Sequence, residues 1–137
     1  MHLKVFLCLF LLLPAAFAAC QDDYNAAEMY IKKIRFHIDR NLEYACDKPT
    51  REAIIQYMKE SLEILTLRLQ MPCQFSFQPL PFSSPCDTLN AVNNFKFVAM
   101  IEGINLHLST MCNSGCPMLM DDFLKSVAAD MEYLNSL

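Results

Sequence analysis

The sequence predicts an all-α fold: a disulfide-stapled four-helix bundle running up, down, down, up, with an extended Pro-rich crossover between its second and third helices. Three observations carry that expectation. Apolar residues recur every three or four positions in four separate segments. Six cysteines fall at the ends of those segments. The one long connection, Cys73 to Pro85, holds three prolines and no glycine, so it reads as a stiff strut.

The 137 residues carry a formal net charge of −4 and are 54% hydrophobic. That is too apolar for a disordered chain, and it lacks the basic excess that phosphate backbones demand, so no nucleic-acid partner is expected. The first eighteen residues combine Lys4, an apolar run from Val5 to Leu13, Pro14 and the small-x-small pattern Ala16-Phe17-Ala18. This is the pattern of a secretory signal peptide over 1–18. It leaves a single secreted four-helix domain over 19–137, with no membrane span in the mature chain. Removing the signal takes Lys4 and Cys8 with it and leaves ten basic against fifteen acidic residues. The six remaining cysteines, Cys20, Cys46, Cys73, Cys86, Cys112 and Cys116, read as three disulfides in an extracellular chain.

The first helix is expected from Asp22 to Ala45. Ala27, Ile31, Ile34, Ile38, Leu42 and Ala45 form its apolar stripe, and Lys32, Lys33, Arg35, Asp39, Arg40 and Glu43 fill the other positions. The second begins after Asp47 with Pro49 in its first turn. It carries Ile54, Met58, Leu62, Leu65 and Leu69, and stops at Met71 because Pro72 follows. Glu52, Lys59, Glu60, Glu63 and Arg68 are expected to face water. The third opens at Ser84-Pro85-Cys86-Asp87 and runs through Phe97, Ile101, Ile104 and Leu108 to Met111. Its only charges are Asp87, Lys96 and Glu102, so it is expected to be the most buried helix. A tight turn over Cys112 to Pro117 leads to the fourth, with Met120, Phe123, Leu124, Val127, Met131 and Leu134 on its stripe and Asp121 and Asp122 in its first turn.

The cysteines constrain the topology by parity. The first two helices share a short link, as do the last two, so each pair is antiparallel. If the third helix started beside Cys20, each end of the bundle would hold three cysteines, and three cannot pair off. A bridge between ends is excluded, since helices of about 23 residues rise roughly 34 Å while a disulfide spans about 6 Å between Cα atoms. The third helix therefore starts at the other end, with Cys46 bridged to Cys86, and the strut climbs the bundle. Thirteen extended steps give roughly 40 Å, which suffices. At the opposite end Cys112 and Cys116 are expected to reach different helices, with the partner of Cys20 left open between them, because a bond joining those two would close only a tiny loop.

No catalytic residue, metal ligand set or cofactor site is expected. A nucleophile needs a base and an orienting group, and the mature chain offers only His37, expected to be solvated on the outer face, and His107, expected to be partly buried beside the third stripe. His107 with Cys112 and Cys116 would lack the remaining ligands of a zinc site. Two glycines cannot build a phosphate-cradling loop. Binding remains. Lys32, Lys33, Arg35, Asp39 and Arg40, with Phe75 and Phe77 of the strut, are the candidate contacts for an extracellular protein or receptor. The alternative is a carrier of an apolar small molecule or lipid, with Phe95, Phe97, Met100, Phe123 and Met131 lining the core.

The final segment, Cys116-Pro117-Met118 followed by Asp122-Phe123-Leu124-Lys125-Ser126-Val127 and Met131, resembles the last helix of short-chain four-helix cytokines over about twenty residues. The resemblance implies a secreted protein signal. The short first link differs from the long first crossover of that family.

Overall fold

A computed structural model describes residues 18–74 and 88–137, and their regular structure is entirely helical. The expected first helix is interrupted. Helix α1 covers 18–32, and α2 runs Ile34–Glu43 after a single turn residue, Lys33. The Lys33 N–H donates to Tyr30 O at 3.1 Å, three residues back, so one turn is tightened as in a 3₁₀ helix. Neither Pro nor Gly lies there to announce the break in the sequence.

Helix α3 spans Lys48–Gln70. Asp47 caps it, its carboxylate accepting from the Thr50 N–H at 2.7 Å, and Pro49 sits where its missing donor costs nothing. Helix α4 spans Thr88–Asn113 and α5 Asp121–Ser136. The expected opening of the third helix at Ser84 to Asp87 lies outside the described residues. Gly115, at φ 68°, ends α4: its N–H bonds to Cys112 O and the Cys116 N–H to Met111 O. That pair of bonds is the Schellman termination, and only glycine adopts the left-handed backbone there without strain.

The core gathers Ile31, Ile34 and Ile38 with Ile54, Met58, Leu62 and Leu65, then Phe97, Ile101 and Ile104, and finally Phe123, Val127 and Leu134. The stripes read from the sequence supply nearly all of it. Two expectations are corrected. Among the residues whose burial is described, the third helix is not the most buried: α3 buries ten, while α4 turns Val92, Phe95 and Leu106 to solvent. Arg68 does not face water, being only 3% exposed. It lies one turn beyond Leu65, on the buried side of α3.

Candidate functional site

The end of α4 organises one pole of the molecule. Because the chain reverses at Gly115, Cys112 stays in the last turn of α4 while Cys116 folds back toward α1. Cys73 is joined to Cys112 and Cys20 to Cys116, with Cα separations of 5.4 and 5.7 Å. Cys112 and Cys116 thus reach different helices, and Cys20 meets Cys116. Cys46 is also disulfide-bonded; its expected partner, Cys86, lies outside the described residues. Beside the Cys73–Cys112 bond, the Arg68 guanidinium donates to Asn105 Oδ1 and Ser109 Oγ, each at 2.8 Å, and to Pro72 O. Burial pulls its pKa below the ordinary arginine value. It ties the end of α3 to α4.

At the same pole a cleft of about 460 Å³ opens between α1 and the start of α5. Tyr24, Met111 and Leu119 give it apolar walls, and Asp121 and Asp122 an acidic rim. Tyr24 stacks on Phe123 at 4.7 Å, and His107 meets Asp23 at 2.9 Å, so α1 is held against both α5 and α4.

The cationic residues singled out on the first helix do not form one free basic patch. Lys32 pairs with Glu28 at 3.2 Å and Arg40 with Glu43 at 3.3 Å. Arg35 bonds Asp130 at 3.0 Å and Ala129 O at 3.1 Å, with its guanidinium 4.1 Å from the centre of the Tyr133 ring. The Tyr133 hydroxyl donates to Asp39, and that bond is the main reason its pKa is raised. Asp130 is buried; desolvation lifts its carboxyl above the ordinary range, with Arg35 pulling the other way. This ladder holds α2 against α5. Lys33 and Lys96 stay exposed, with no carboxylate in ion-pair range among the described residues.

His37, expected on the solvated outer face, is half-buried. Burial lowers its pKa first, and the charges of Lys33 and Lys96 lower it further. Of the residues proposed to line an internal cavity, Phe97, Met100 and Phe123 are buried in the packed core and Met131 is partly buried against it. Phe95 is 72% exposed and lines no interior space. Phe75 and Phe77 lie outside the described residues, as does the segment 1–17. Among the described residues, no three His, Cys, Asp or Glu side chains gather as a metal would require, and no helix is long and apolar enough to cross a membrane.

Arg68, Asp130 and the buried Asn41 were missed by sequence reasoning. Each continues an apolar stripe at helical spacing, which is the signal that could have found them. No protein-family model, curated protein or solved structure matches the chain.

Proposed function

We propose that this chain is a secreted, non-enzymatic protein ligand, a cytokine-like or hormone-like signal or an effector, acting through protein–protein contacts outside the cell. One observation carries the reading. Of the aromatic and Met side chains that would line a carrier's cavity, Phe97, Met100 and Phe123 are packed into the core, while Phe95, with Phe36 at 55% exposure, is turned outward. Exposed aromatic side chains are the residue type that anchors protein–protein contacts. The disulfides support an oxidising compartment, and with it the reading of 1–18 as a cleaved signal peptide.

The same reading includes the up, down, down, up bundle. Arg35–Asp130 and Asp39–Tyr133 advance together along α2 and α5. Tyr57–Phe97 and Arg68–Ser109 advance together along α3 and α4, and His107–Asp23 sets α4 against the start of α1. These pairs support parallel α2/α5 and α3/α4 with the two sets opposed. In this reading Cys46 lies at the pole opposite Cys20, and its expected partner Cys86 lies outside the described residues. A carrier reading retains one observation in its favour, the cleft walled by Tyr24, Met111 and Leu119.

The test is binding of the oxidised, labelled chain to receptor-bearing cells, competed by unlabelled chain. Saturable, competed binding weakened by F36S supports the reading. Absence of any saturable site, together with a discrete apolar adduct in native mass spectrometry, would replace it with the carrier.

A further inference from the structure

We propose that the cleft between α1 and the start of α5 binds a small organic cation, an amine carried on an apolar or aromatic body. The body lies against Tyr24, Met111 and Leu119, and the ammonium group meets the carboxylates of Asp121 and Asp122. The inference goes beyond the protein-ligand reading and does not rest on it.

The shape of the cleft is fixed by the chain itself. Cys20 lines it from α1, and the bond to Cys116 ties that wall to Pro117, the next residue of the loop and also part of the lining. The Tyr24 ring is held by its stack on Phe123, with centroids 4.7 Å apart. Met111 is 1% exposed and forms the floor, while Leu119, 77% exposed, stands at the mouth. Walls held by a disulfide and a ring stack have little freedom left to lose when a ligand arrives. The volume, about 460 Å³, falls in the range of roughly 300–1,000 Å³ that small molecules occupy.

The rim selects the charge. Asp121 and Asp122 both line the cleft, and neither is in ion-pair range of a cation among the described residues. The free N–H groups at the start of α5 oppose them, but a helix N-terminus carries about half a positive charge against two full negative ones. Burial, then Glu28 and Asp122, raise the Tyr24 pKa, so the ring that lines the cleft stands in that negative field. An anion would meet two like charges. A neutral apolar molecule would strip water from the carboxylates and return nothing to them. A hard divalent ion takes roughly six or more oxygen ligands, and no three metal-ligating side chains gather among the described residues. An ammonium group on an apolar body satisfies both parts of the cleft.

The experiment titrates the oxidised, secreted, ¹⁵N-labelled chain at neutral pH with three probes of similar shape: phenethylamine, phenethyl alcohol and hydrocinnamate. The expected result is saturable amide shifts centred on Tyr24, Leu119, Asp121 and Asp122 with phenethylamine, and binding of the other two weaker by about tenfold or more. D121N/D122N should raise the phenethylamine Kd about tenfold and remove its advantage over the alcohol. That pair also supports the first turn of α5, so circular dichroism accompanies it. L119S changes an exposed position, keeps the fold, and should weaken the amine and the alcohol alike. Equal binding of all three probes, preference for hydrocinnamate, shifts on another face, no saturable shift, or amine binding unchanged in D121N/D122N overturns the proposal. So does amine binding seen only after N-terminal acetylation, which assigns the two carboxylates to the chain's own α-amino group. A receptor footprint over Leu119 and Asp121 in a chain whose cleft ignores phenethylamine also overturns it, and assigns the cleft to a basic side chain of a protein partner. Amine binding by a chain with no cell-surface site upholds the cleft and sinks the ligand reading; saturable cell binding without amine binding does the reverse.

Discussion

Arg68 offers the sharpest test of the energetics. It is a buried cation that, among the described residues, donates to neutral acceptors on α4 and at the end of α3. Each hydrogen bond from a charged donor contributes about 1.5–3 kcal/mol, so three of them bring several kcal/mol. Against this stands the desolvation of the guanidinium, itself several kcal/mol. When the arginine is removed, Asn105 and Ser109, both half-buried, regain water, so the orphaned acceptors cost less than fully buried ones would. Arg68→Met, which keeps the apolar stem, should therefore cost about 2 kcal/mol. Arg68→Ala adds the loss of that stem and should cost about 3–4 kcal/mol. At roughly 4 °C per kcal/mol for a domain of this size, Tm should fall by about 8 and 14 °C. Arg68→Lys keeps the charge but not the planar fork, and should behave like the Met variant. Urea unfolding followed by circular dichroism, with disulfides intact, measures all three. A Met variant as stable as the parent, or more so, would refute the reasoning, because desolvation would then outweigh the three bonds.

The other expectations are smaller in scale. Asp47 caps α3, and its pKa is lowered chiefly by the hydrogen bonds from Thr50. A lowered carboxyl pKa contributes stability that is present above the unfolded value and lost as pH falls through the folded one. Asp47→Ala should thus lower Tm at neutral pH, with the gap closing in acid below the ordinary aspartate range; a gap independent of pH would contradict this. His37 should titrate below an ordinary histidine, and Lys96→Gln should raise its pKa toward that value, read from the ring proton shifts. No change would remove Lys96 from its field. Gly103→Ala gains about 1 kcal/mol of helix propensity. It also places a methyl 3.0 Å from Tyr30 Cε2, so the ring, which stacks on His107, must shift. The expected sum is a Tm within a few degrees of the parent, with altered Tyr30 and His107 shifts; unchanged shifts would show that the contact is not made.

What was legible in the chain follows from what periodicity measures. An apolar stripe fixes the angle of a helix's buried face, so Ile31, Ile34 and Ile38 and then Phe123, Val127 and Leu134 were readable, and all are in the core. It says nothing about a polar residue at the same angle. Arg68 belongs at such an angle only because Asn105 and Ser109, 37 and 41 residues away, supply acceptors. Asp130 belongs there because Arg35, 95 residues away, supplies a charge. Binary patterning sends both outward, and only the tertiary partner brings them in. The pairing of Cys20 was open for a related reason. It depends on where Gly115 reverses the chain, and that is set by backbone dihedral angles. The candidate contact residues were half-visible. Lys33, at the turn before α2, and Phe36 on α2 lie in a segment whose polar side is clear from its sequence, whereas α4 carries few charges to mark its outer side. Its stripe ran through Phe97, which is buried, and passed by Phe95, which is exposed, so the outward face of Phe95 was legible in the spacing. Counting Phe95 among the cavity-lining residues followed residue type, aromatic and apolar, where helical spacing pointed the other way. A helix with more apolar residues than its core can bury presents the remainder to solvent, and on α4 that remainder is Val92, Phe95 and Leu106.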